Sequence, residues 1–229
     1  HELGLEGDQV TNLKHHGGVD KAVYAFARED LDFWGDRLGT EIADGAFGEN
    51  LTTEGLDVDA AGFDAAWREV LAPLTANQQP GVTVLRDYHA ENIMLLRPDQ
   101  GASEQGVIDF QDALVGHPAY DLVSLLQDAR RDVSPELEAK MLARYREQAD
   151  CGPEFDADYA RLGAQRNTKI VGIFARLNQR DGKPRYLGMI PRVWEALERD
   201  LAHPALAPVA QWFDANIPAE LRARHGAVD

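Results

Sequence analysis

Between residues 82 and 112 the sequence leaves the chain little freedom. Val82-Thr83-Val84-Leu85 is short, apolar and β-branched, which predicts a strand. Arg86 to Asn92 is polar and predicts a loop. Ile93-Met94-Leu95-Leu96 is a second apolar run, Pro98-Asp99-Gln100-Gly101 is a turn signal, and Val107-Ile108 leads into Asp109. The simplest arrangement is a β-hairpin whose loop carries Asp87 and Asn92, with Asp109 following the return strand. Three oxygen-bearing side chains then meet at one end of a small sheet.

That set of groups suits phosphoryl transfer. Moving a phosphoryl group needs little covalent help from a protein. It needs a carboxylate to orient the attacking hydroxyl and accept its proton, and oxygen ligands for the magnesium that neutralises the phosphates. Asp87 is placed to be the base, with Asn92 and Asp109 as the metal ligands. The plainer reading is a polar loop of ordinary turn residues, since Asp and Asn are common there. An Asp with an Asn five residues on is a weak signal alone. The apolar-Asp-Phe segment at Ile108-Asp109-Phe110 strengthens it.

The segments Leu85-Arg86-Asp87-Tyr88-His89-Ala90-Glu91-Asn92, Ile108-Asp109-Phe110-Gln111-Asp112-Ala113 and Gly116-His117-Pro118-Ala119-Tyr120-Asp121-Leu122 go further. Together they resemble the aminoglycoside phosphotransferase family. Within it they look most like the cell-wall amino-sugar kinases that phosphorylate N-acetylmuramate and N-acetylglucosamine. The resemblance runs from about Phe63 to the C-terminus and includes Gln165-Arg166-Asn167-Thr168-Lys169-Ile170, Arg180 to Tyr186 and Leu201-Ala202-His203-Pro204. It implies a mainly helical, protein-kinase-like C-terminal lobe, ATP and magnesium as cofactors, and a sugar as acceptor. It also implies that Asp121 braces the catalytic loop from the start of the next helix. Leu85 stands where the wider kinase pattern has a histidine.

Residues 1–58 have another character. Gly4-Leu5-Glu6-Gly7-Asp8-Gln9, His16-Gly17-Gly18-Val19-Asp20-Lys21-Ala22-Val23 and Gly45-Ala46-Phe47-Gly48-Glu49-Asn50-Leu51-Thr52 are glycine-punctuated loops beside short strands. Ala27 to Leu38 predicts a short helix stopped by Gly39. In this order the three motifs resemble the front part of the MOSC family, a β-rich sulfur-carrier domain. The later part of that pattern, with its cysteine, is not matched, so the resemblance brings no cofactor chemistry with it. His15 and His16 form an adjacent pair with no second ligand cluster, which reads as loop and not as metal site. Lys14, Lys21 and the Gly17-Gly18 pair lack the strand and helix context of a phosphate loop.

The expected fold is therefore α+β. A small β-rich segment over 1–58 is followed by a mainly helical lobe over 59–229 carrying a catalytic β-hairpin. Near Val58 the pattern changes to helical spacing at Phe63, Trp67, Val70, Leu71 and Leu74, closed by Pro73 and Pro80. Further helices are predicted from Tyr120 to Arg130, from Ser134 as N-cap with Pro135 first in the helix, over Gln165–Gln179, from Pro191, and around Leu206–Phe213. The Trp and Phe stripes read as core. Arg130, Arg131, Arg166 and Lys169 read as solvated helix faces, with phosphate or sugar contact as the alternative.

Charge decides what the chain avoids. The formal net charge is −16, and residues 1–58 hold four Lys/Arg against thirteen Asp/Glu. Nucleic acid and anionic membrane are disfavoured as partners, because like charges repel. The single cysteine, Cys151, rules out an internal disulfide framework. No leader or long apolar span is visible, which makes the cytoplasm the expected location.

By the resemblance, a kinase of this fold has an N-terminal lobe with a phosphate-covering loop and a strand lysine, and Asp87 comes too early to leave room for it. The expectation is a chimera of two families with reduced or no phosphotransferase activity. The alternatives are a MOSC-type cofactor-binding protein and a non-catalytic scaffold that self-associates through exposed apolar surface.

Overall fold

The computed structural model describes residues 25–27, 39, 41, 51–53, 60–76, 81–96 and 105–224. The glycine-rich loops of the first segment, His15, His16, Lys14 and Lys21, and the helix read over Ala27–Leu38 lie outside these, apart from Ala27. What is described of that segment is a parallel pair of strands, β1 (Ala25–Ala27) and β2 (Leu51–Thr53), with β2 lying against the longest helix.

From residue 60 the chain is mostly helical. The helices are α1 (Ala60–Ala76), α2 (Ala119–Leu126), α3 (Pro135–Gln148), α4 (Phe155–Asp181), α5 (Ile190–Leu201), α6 (Ala207–Asn216) and α7 (Ala219–Ala223). Their ends follow from local chemistry. Ser134 Oγ accepts the Leu137 amide at 3.2 Å, Pro135 opens the helix, and Glu136 and Glu138 favour its positive end. Gly182 stops α4 in a left-handed conformation (φ 62°), its N–H reaching the carbonyls of Asn178 and Leu177. The Gln165–Gln179 helix proves to be the second half of α4, a 27-residue rod of roughly 40 Å at 1.5 Å per residue. Pro73 does not end α1 but lies inside it, near the C-terminus. There it removes one amide donor from a helix held by its packing.

The main core gathers around α4. Phe63, Trp67 and Val70 of α1 meet Val209, Trp212 and Phe213 of α6, with the Phe63 and Trp212 rings 4.6 Å apart and edge-on. Ile190, Val193, Trp194, Leu197 and Leu201 give α5 a buried stripe at helical spacing. Gly163 lets α4 and α5 come close, because a Cβ there would lie 2.4 Å from Asp200 Oδ2. A smaller cluster of Ala119, Val123, Phe155 and Tyr159 fastens α2 to α4. Among the described residues no helix is long and apolar enough to cross a membrane.

The strands pair differently from the sequence expectation. β3 (Val82–Val84) is antiparallel to β6 (Leu114–Gly116), and β4 (Ile93–Leu95) is antiparallel to β5 (Gln105–Val107). The single hairpin between the first two apolar runs is thus replaced by two ribbons. The loop from Arg86 to Asn92 crosses from one ribbon to the other, and does not turn back on its own strand. Asp109 does follow the return strand, as expected.

Candidate active site

The loop is built from the end of β3. Val84 is buried, and the next two amides, of Leu85 and Arg86, both donate to the Asp121 carboxylate, at 2.7 and 3.0 Å. Asp121 lies in the first turn of α2, so one carboxylate ties helix to loop. This tie holds Arg86 at a φ of 70°, a left-handed conformation costly for a residue with a side chain. Ser124 adds a third hold by donating to the Arg86 carbonyl at 3.3 Å, and Arg166 Nη2 donates to Ser124 Oγ at 2.9 Å.

Beyond this point the loop closes on itself. The Asp87 amide donates to Leu85 O and the His89 amide to Asp87 O, at 2.9 and 3.0 Å. A short 3-10 turn over Ala90–Asn92 follows. The buried Asn92 side chain reaches back, its Nδ2 donating to Asp87 O at 2.9 Å. Its own carbonyl accepts the Ile108 amide at 3.0 Å, which brings the residue before Asp109 alongside. Asp109 stands at φ 59°, with Gln111 Nε2 donating to its Oδ1. Arg86 and Asp109 are the non-glycine residues of positive φ among those described. Both lie at this site, where such strain gathers in functional loops.

The three residues read from sequence are therefore joined through one chain of bonds, with Asn92 at its centre. The Asp87 carboxylate is exposed and open to a ligand hydroxyl. The Asn92 amide nitrogen is committed to Asp87 O, which leaves Oδ1 as a donor oxygen toward a cation. With the exposed Asp109 carboxylate it makes a pair of hard oxygen ligands. That donor set fits magnesium, which takes one or two protein oxygens and completes its shell with water and phosphate. When bound, magnesium would neutralise charge on the phosphates.

Four neighbours modify this picture. Arg166 does not lie on a solvated helix face; it points inward toward the loop, and burial pulls its guanidinium below its usual value. The sequence signal was there to be read. Arg166 follows Tyr159 and Gly163 at helical spacing, on a stripe that faces α2 and α5. Asp128 is buried just beyond α2, its Oδ1 accepting the Arg130 amide at 2.9 Å. Arg130 in turn approaches Glu91 of the loop, at 3.4 Å. His89 is buried within the loop, and burial, reinforced by the Arg130 guanidinium, pushes its imidazole below its usual value.

Two histidines of the quoted motifs serve structure. His117 Nδ1 accepts the Ala119 amide at 3.2 Å and His203 Nδ1 the Ala205 amide at 3.1 Å, the same cap built by the same His-Pro-Ala sequence. His117 Nε2 also faces Asp158 of α4 at 3.4 Å.

Comparison with known proteins bears on this geometry. A family model described as the phosphotransferase enzyme family matches residues 26–164, more than half of the chain. The match begins within the 1–58 segment. An N-acetylmuramate/N-acetylglucosamine kinase of Caulobacter vibrioides is 49% identical over 171 residues, covering 70% of this chain and 46% of that protein. Proteins of the same name from Pseudomonas aeruginosa and Neisseria meningitidis are 39% and 44% identical, over 67% and 57% of this chain and 47% and 39% of theirs. The chain thus spans about half the length or less of the curated relatives it matches. The chain belongs to the phosphotransferase enzyme family.

Proposed function

We propose that this chain serves the transfer of a phosphoryl group from MgATP to a hydroxyl of an amino sugar. Asp87 accepts the proton of that hydroxyl, Asn92 and Asp109 hold magnesium, and Asp121 keeps the loop in its strained form. The observation that carries the reading is the bonded loop itself. Asn92 links Asp87 to the strand before Asp109, and a left-handed residue stands at each end. The names of the relatives support an amino sugar as acceptor. All four residues lie within the 59–229 part, and the cytoplasm is the compartment that supplies ATP.

We expect transfer by the chain as it stands to be slow. Met94 and Leu95, just after Asn92, and Ile108 and Phe110, on either side of Asp109, are about half exposed, between 47% and 59%. Positioning works best where water is excluded, and these positions are open to it. Calorimetric titration of MgATP into the purified chain, beside Asp109→Ala, tests the site directly. Binding in the parent and none in the variant is the expected result. Equal binding by both would remove Asp109 from the metal site and with it this reading. Phosphate transfer to N-acetylglucosamine then measures how slow the chain is, and fast turnover would overturn that expectation.

A further inference from the structure

Buried polar atoms without partners are rare, because each forfeits its hydrogen bonds to water. Three of those among the described residues gather around the loop: His89 Nδ1, Asp128 Oδ2 and Arg166 Nη1. Asp128 and His89 retain 3% and 7% of their exposure. Hydrogen bonds and ion pairs fix their neighbourhood. Arg166 is bonded to Ser124, which is bonded to the carbonyl of Arg86, the residue before Asp87. Asp128 is bonded to the Arg130 amide, and Arg130 faces Glu91 two residues beyond His89. The fields of Asp87 and Asp128 act on both Arg166 and His89.

The cluster presents one acceptor oxygen, one guanidinium donor and one imidazole nitrogen. A sugar offers hydroxyls that donate and accept together, and its ring and amide oxygens accept. We propose that Asp128 and Arg166 recognise the acceptor sugar, Asp128 Oδ2 taking a hydroxyl proton and Arg166 Nη1 donating to an oxygen of the same molecule. This rests on the phosphotransferase reading and names the residues that choose its acceptor. Neither residue takes part in the chemistry; they hold the sugar so that its reacting hydroxyl meets Asp87. A nearby cleft of about 240 Å³ is also lined by Asp128, with Arg192 and Arg199. Two of its arginines are spent on protein partners, Arg192 on Asp132 and the Ala129 carbonyl and Arg199 on Glu138, and Arg131 lines it as well. Arg166 and His89 lie instead within the field of Asp87.

Asp128→Asn is a selective probe. Its Oδ1 still accepts the Arg130 amide, while an NH2 group replaces the free oxygen. Binding of N-acetylglucosamine, without nucleotide, is measured by ligand-observed NMR and calorimetry for the parent chain, Asp128→Asn and Arg166→Lys. Binding weakened by about tenfold or more in both variants is expected, the scale of a lost hydrogen bond to a charged group. MgATP affinity should be unchanged in Asp128→Asn, and thermal unfolding identifies any variant that misfolds. Undiminished sugar binding in both Asp128→Asn and Arg166→Lys overturns the assignment, gives the orphaned atoms to ordered water, and leaves the proposed function standing. A parent chain that binds MgATP but no amino sugar overturns the assignment and the acceptor class together.

Discussion

The helical body and the two strand ribbons solve opposite problems. The body buries its large apolar side chains, with Val193, Leu197, Leu206 and Val209 at or near complete burial. The ribbons do not. Among the described residues, every exposed large apolar side chain except Leu137 lies on or beside a strand around the loop: Val82, Met94, Leu95, Leu96, Ile108, Phe110 and Val115. Each ribbon has two three-residue strands, and two-stranded ribbons are marginal without a face to pack on. The loop is therefore not held by its sheet. It is held from behind, by Asp121 and Ser124 of α2 and by Arg166 of α4. A rigid body can support a strained site while the surface around that site stays open.

This contrast can be broken at several points. The largest effect is expected from the body. Phe63→Ala, which removes the ring wedged between Trp67 and Trp212, should cost about 3–5 kcal/mol in denaturant unfolding. A cost below about 1 kcal/mol would mean that α1 is not part of the core. Next comes the joint between the regions. Asp121→Asn leaves the loop with a neutral acceptor, and should lose roughly 2 kcal/mol together with MgATP binding. Stability lost with binding intact would show that the loop is shaped without it.

Charge inside the body gives a smaller effect whose sign differs from place to place. Burial holds the Asp200 carboxyl well above its ordinary value of 3.8, Gln127 and Asn167 donate to it, and the nearby Glu138 raises it further. The folded state binds that proton more tightly than the unfolded chain. Its contribution is thus full below about 3.8 and is lost as pH rises through the folded value. Glu198 behaves the other way. Arg222 donates to both its oxygens, at 2.9 and 2.7 Å, and holds it below its usual 4.5. That contribution is present above 4.5 and fades as pH falls through the folded value. Asp200→Asn should flatten the decline in stability with rising pH, and Arg222→Ala should flatten the loss on acidification. Melting temperatures across pH 3–8 read both, and a parallel shift with no change of slope would refute the assignments. The smallest change is expected at the ribbons. Phe110→Ser should move stability by less than about 0.5 kcal/mol, since its ring is 59% exposed. A loss near the scale of Phe63→Ala would show that the ring is covered in solution.

A good deal follows from short stretches of sequence alone. Ser134 and Pro135 announce the start of α3 through a cap that needs nothing beyond its own turn. The spacing of Phe63, Trp67 and Val70, and of Val193, Trp194 and Leu197, foretells buried helix faces, because a 3.6-residue period carries its own orientation. The candidate residues Asp87, Asn92 and Asp109 were legible for a similar reason: they lie within 23 residues of each other, and short strands and turns bring them together. Strand pairing was not legible. β3 chooses β6 over the nearer β4, and nothing within either run specifies a partner. Pairing depends on where α2 and the loop place the chain ends. Asp128 lay beyond a local reading, and Arg166 was marked only by its spacing with Tyr159 and Gly163. A charged residue on a helix is by default solvated, and only the packing of α4 against α2 turns Arg166 inward to Ser124 and Arg86. Local order follows from short-range sterics and hydrogen bonds, which the sequence spells out. The second layer of the site follows from burial, which is decided by elements some forty and eighty residues apart coming to share one interior.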